Sequence, residues 1–268
     1  RLAIPIFGAS IIILIIQYII GFHNKSLEVI VENKWIQSFY HQHLTVYDAI
    51  KEPFRVLFQG NSFFNSPFWC LKNMFLSSII IYILNYLCKY IIHKWRGCFF
   101  TLILGITVIL EQPIIFSCLL GAVCGFYEES ISHCKKWLYV VGIFMPVVVY
   151  MWDIANLYVY GVAFSLFLAG VLNLRVLQNL FSIREINGVG KISWGIYAFH
   201  WPIYNSIGMC MIVQLFGKCN NSILFVIVIN VCIIITLLIA ILDLFTVERL
   251  SGMVCRKIDI FFRKVTKN

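Results

Sequence analysis

The sequence predicts an all-α protein, a polytopic membrane helix bundle of about eight transmembrane helices. Three observations carry that expectation. The 268 residues are 61% hydrophobic and only 12% charged, where a soluble domain carries about 25% charged residues. Mean hydropathy is +0.88. The apolar residues gather in runs near the roughly 20 residues that cross a bilayer core, with most charges between them. The net charge of +9 follows from that placement. The basic residues form no continuous patch, so they speak for topology and against a nucleic acid partner.

The runs are 4–22, 67–88, 98–111, 113–127, 137–152, 155–173, 192–215 and 222–245. The first follows Arg1. The segment 23–66 after it holds His23, Trp35, His41, His43 and four acidic residues, and reads as a long, solvated outer loop with no metal site. The run 67–88 opens at Pro67 and carries Lys72, for which two readings stay open: it snorkels to the outer surface, or it pairs with Glu111 at matching depth. Glu111-Gln112-Pro113 marks one tight turn and Asp153 another, because proline ends the hydrogen-bond ladder and charge is costly in lipid. Residues 1–245 thus read as a transmembrane domain. The basic, amphipathic tail 246–268 reads as a helix on the inner leaflet. Fifteen basic residues fall on one set of ends and five on the other. The positive-inside rule then puts both termini in the cytoplasm of a multi-pass protein of the cell membrane. The ten cysteines show no CxxC pair and behave as small apolar residues.

The run 192–215 contains the most polar groups. Ser193, Tyr197, His200 and Tyr204 are spaced by four, three and four, so they share one helical face. His200 stands about 12 Å above the cytoplasmic end at 1.5 Å per residue. Two readings stay open on the residues alone: His200 bonds a neighbouring helix, or it faces a cavity used for chemistry.

Lys191-Ile192-Ser193-Trp194-Gly195-Ile196-Tyr197-Ala198-Phe199-His200-Trp201-Pro202 resembles the "G-K-I-S-Y-G-I-Y-L-x-H-x-P" span of the acyltransferase-3 family of integral membrane acyltransferases. Asn65-Ser66-Pro67-Phe68-Trp69-Cys70-Leu71 is similar to its small-Pro-x-Trp-x-Leu span start, and Arg1-Leu2-Ala3-Ile4-Pro5 to its arginine-rich span entry. Phe245-Thr246-Val247-Glu248-Arg249 is a weaker likeness, to the turn that closes the family's last span. The resemblance implies a bacterial plasma-membrane enzyme. It would move an acyl group, often acetyl, from acyl-CoA (acetyl-CoA) onto a hydroxyl of a surface glycan or lipid-linked sugar, among membrane lipids and with no bound cofactor. It implies donor or substrate contacts for Arg1, Trp69, Ser193, Tyr197 and Trp201, and a supporting catalytic role for His200.

The departures carry expectations too. The family's first helix bears a basic residue and a histidine that acts as the catalytic base; neither occurs ahead of Arg1 in this sequence. Its glutamate beyond the tryptophan is replaced by Lys72, Asn73 and Met74. The chain is therefore expected to be a fragment, a truncated product or an inactive relative, with little or no turnover from residues 1–268. A membrane transporter or flippase of a polar lipid or sugar is the alternative, since midplane polar residues fit that class.

Overall fold

A computed structural model describes residues 2–23, 26, 40, 43–127, 131, 133, 136–216, 218 and 221–265. All regular structure among them is helical. The chain divides into two compact units, Arg1–Trp69 with Gly188–Asn268, and Cys70–Asn187.

In the first unit, α1 (Ala3–Ile19) is followed by α2 (Val46–Phe54), which runs on through a π turn, Arg55–Gln59. Helix α2 lies in the segment expected to be a solvated loop. Thr45 starts it with a capping box, its hydroxyl accepting from the Asp48 amide and the Asp48 carboxylate accepting from the Thr45 amide. Gly60 ends the turn at φ +78°, a conformation that suits glycine. A 3-10 turn, Ser66–Cys70, leads into the second unit.

There α3 (Leu71–Leu87), α4 (His93–Ile109), α5 (Pro113–Phe126), α6 (Lys136–Met151), α7 (Leu157–Asn173) and α8 (Arg175–Phe181) follow in order. Both expected turns occur: Glu111 and Asp153 adopt φ +54° and +48°, and Pro113 sits at the start of α5, where its missing N–H costs nothing. Asn156 caps α7 by accepting from the amides of Tyr158 and Val159. Helices α6 and α7 touch backbone to backbone. A Cβ on Gly142 would lie 2.6 Å from the Leu166 carbonyl oxygen, and one on Gly170 2.8 Å from that of Tyr139. Small residues permit such approach in membrane bundles. The Lys72–Glu111 pair does not form: among the described residues, both ion pairs belong to Arg55.

The first unit resumes within α9 (Arg184–Ile203), which is followed by a π turn (Tyr204–Gly208) and α10 (Met209–Leu215). Helix α11 (Asn221–Asp243) then passes through a π turn (Leu244–Glu248) into α12 (Arg249–Val265). The π turn widens the ladder without ending it, so Asn221–Ile260 is one 40-residue helix. The basic tail is thus continuous with the last apolar run.

Helix α11 is built inside out. Its buried stripe is Leu224, Val228, Cys232, Thr236, Ala240 and Asp243, whereas Phe225, Ile227, Ile234, Leu238 and Leu242 are exposed. Small and polar residues facing protein, with bulky aliphatics facing outward, match an apolar solvent. Ser66–Leu87 and Asn221–Ile260 are long and apolar enough to cross a membrane; α7 with α8 makes a third if that pair, bent by 93°, counts as one span. Helices α1, α5, α6 and the Trp95–Ile109 part of α4 are apolar but shorter. All eight expected runs are helical, yet among the described residues only two or three helices are both long and apolar enough to cross a membrane. Turns as tight as Glu111–Pro113 leave α5 with 14 residues, a rise of about 21 Å.

Candidate functional site

The site grows from one missing hydrogen. Pro202, inside α9, has no N–H to give to the carbonyl of Ala198, four residues earlier. A buried carbonyl left that way needs another donor. Asn65 supplies it: its Nδ2 donates to Ala198 O at 2.9 Å, with both residues buried. Two residues on, Pro67 O accepts from the Tyr197 hydroxyl. Phe68, fully buried, stacks on Trp194 at 5.9 Å and 15° and meets Tyr197 at the same distance. The Asn65–Phe68 turn and the Lys191–Ile203 helix, 130 residues apart, are therefore locked together.

The loop that presents Asn65 is anchored in turn by Glu52, which has no solvent exposure. Its Oε1 accepts from the Ser62 hydroxyl and the Phe63 and Phe64 amides, and its Oε2 from Arg55 at 3.1 Å. Ser62 Oγ accepts from the Asn65 amide at 2.8 Å. The Arg55 guanidinium lies 3.8 Å from the Phe63 ring centroid and 3.9 Å from Asp48. Burial is the largest influence on the Glu52 carboxyl and raises it above the usual range despite its donors. Asp48 is held low, chiefly by the Thr45 hydroxyl.

His200 is exposed on α9 and lies 6.4 Å, ring to ring, from Tyr197. Its Nδ1 is 3.0 Å from Ile196 O. A carbonyl only accepts, so Nδ1 carries the hydrogen, and in the neutral ring Nε2 keeps a lone pair. His200, Trp201 and Tyr204 line one side of an apolar groove of about 320 Å³, with Ile229, Cys232, Ile233 and Thr236 of α11 on the other. Gly195 lets the helices meet below it: a Cβ there would lie 2.6 Å from Ala240 Cα.

The other expected site residues scatter. Trp69 is 55% exposed on the turn beside Phe68. Ser193 is exposed, and its hydroxyl returns to Gly190 O at 2.8 Å, which separates it from the Tyr197–His200 pair. Arg1, Trp35 and His41 lie outside the described residues. His43 contacts Gln17 at 3.0 Å and the Tyr18 ring. Glu52, Arg55 and Asp243 went unnoticed in the sequence. The Thr45-x-x-Asp48 box is the signal that points to the helix bearing the first two. Asp243 is fully buried, and neither carboxylate oxygen has a hydrogen-bond partner among the described residues. No family model, curated protein or solved structure matches the chain.

Proposed function

We propose that the chain is a multi-pass membrane acyltransferase of the acyltransferase-3 type, with about eight spans and cytoplasmic ends. It moves an acyl group, acetyl first among them, from acyl-CoA to a hydroxyl of a surface glycan or lipid-linked sugar. One observation carries the reading. The segment with the fairly specific resemblance, residues 191–202, meets a supporting one, residues 65–71, through Asn65–Ala198 and Tyr197–Pro67, beside a histidine whose Nδ1 lies against the Ile196 carbonyl. In this reading the acceptor oxygen attacks the thioester carbonyl carbon, the C–S bond breaks, and CoA leaves as the thiol. His200 assists by holding the acceptor proton on its way to sulfur, with Tyr197 fixing the helix face and Trp201 walling the groove.

The test uses membranes carrying the protein and acetyl-CoA labelled in the acetyl group. Saturable acetyl-CoA binding is expected, with little or no label transferred to glycan by residues 1–268 alone. Label transfer above background would overturn that expectation, and His200→Ala should then lower transfer by about 10²-fold, the lower end for a lost acid–base group, and leave binding in place. The 93° break between α7 and α8 favours the transporter reading, since broken helices recur in that class. Saturable sugar uptake without acyl-CoA binding would establish it and overturn the acyltransferase.

A further inference from the structure

We propose that α2 is a membrane-interface helix whose outward face lies in the outer headgroup–acyl boundary of the bilayer. The proposal rests on the membrane reading above and not on the acyl-transfer chemistry. Val46, Tyr47, Ile50, Phe54 and Phe58 are 53–68% exposed and follow helical spacing along α2 and its π turn. The opposite face buries Ala49, Glu52, Val56 and Leu57. A helix in water would present its polar face outward; this one buries Glu52 and exposes its aromatics, the arrangement of a helix lying in an interface.

The occupant follows from what α2 is attached to. It packs along α1, and the Gln17 amide brackets Leu44, exchanging hydrogen bonds of 3.1 Å with its N–H and its carbonyl. The neighbouring end of α1 exposes Tyr18 and Ile19, so the two apolar surfaces continue into one another. Helix α1 has 17 residues, a rise of about 25 Å against a hydrocarbon core of about 30 Å. The shortfall of about 5 Å matches the shallow end of the depth that interfacial helices occupy. Lys51, on the same side, lies 4.0 Å from the Tyr47 ring centroid, the pairing of cation and amphipathic ring that interfaces favour.

The test is photo-crosslinking of the full chain in phosphatidylethanolamine–phosphatidylglycerol vesicles. Phe54→p-benzoylphenylalanine and Phe58→p-benzoylphenylalanine probe α2, and the same change at Phe225 of α11 serves as the spanning control. Lipid adducts at positions 54 and 58, as at 225, are expected. Adducts at 225 alone, or crosslinks from 54 and 58 to a second copy of the chain or to water-soluble sugar, overturn the interface while the membrane reading stands. Loss of lipid adducts at all three positions overturns both.

Discussion

A single side-chain amide in place of a backbone N–H holds the centre of the site, and it is open to a two-residue test. Asn65→Leu should destabilise the detergent-solubilised protein by about 1–3 kcal/mol, because Ala198 O is left buried and unpaired. Pro202→Ala restores an N–H at the position that would normally serve that carbonyl. The double variant should therefore unfold at a higher temperature than Asn65→Leu alone; equal or lower unfolding temperature would refute the substitution of one donor for another. Glu52 gives a second residue-scale prediction, in pH. Its folded-state carboxyl is raised, so the native state holds the proton more tightly than the unfolded chain does. Stability contributed by the protonated form is then lost as pH climbs from the ordinary glutamate range through the raised value. Asp48 is lowered and works in reverse, its contribution present near neutrality and lost as pH falls through its lowered value. Glu52→Gln should remove the higher-pH loss and leave the acid-side loss, as read by thermal unfolding across pH.

Glycines at helix contacts differ sharply from glycines in open space. Gly142→Ala drives a methyl into the Leu166 backbone, which cannot rotate away, and should cost about 1–3 kcal/mol. Gly105→Ala meets nothing within 4 Å and should be neutral or slightly stabilising, by up to about 1 kcal/mol. Thermal unfolding of the two variants decides whether α6 and α7 meet as described. At this scale the sequence was legible where chemistry punctuates it. Pro113 and Asp153 placed turns to within a residue or two, because missing donors and charges act locally. Helix α2 was not legible as membrane-facing, since an apolar face such as Val46, Tyr47, Ile50 and Phe54 reads from sequence as a face turned to the protein interior, and only the fold shows it exposed. Tyr197 and His200 were correctly expected as neighbours on one face. The partner of that face was not, because Asn65 reaches it across 133 positions that no local pattern connects. Ser193 shares the helical spacing of that face, yet its hydroxyl satisfies itself within the preceding turn.

For the whole molecule, the eight crossings proposed above make a side-specific prediction. Reporters placed after Asn61, after Gln112 and after Ile154 should face outward, and those after Ile92 and at the end of α12 should face the cytoplasm. An insertion that reports the side opposite to the one given would break the eight-span reading. The continuous Asn221–Ile260 helix has a practical consequence of another kind. Forty residues rise about 60 Å, roughly twice the hydrocarbon thickness. A soluble partner fused in helical phase at the end of α12 would be carried on a rigid mast well clear of the detergent belt. Each residue added at the junction would turn it by about 100°, so its orientation can be dialled until it serves as a fiducial for imaging a protein otherwise hidden in its micelle.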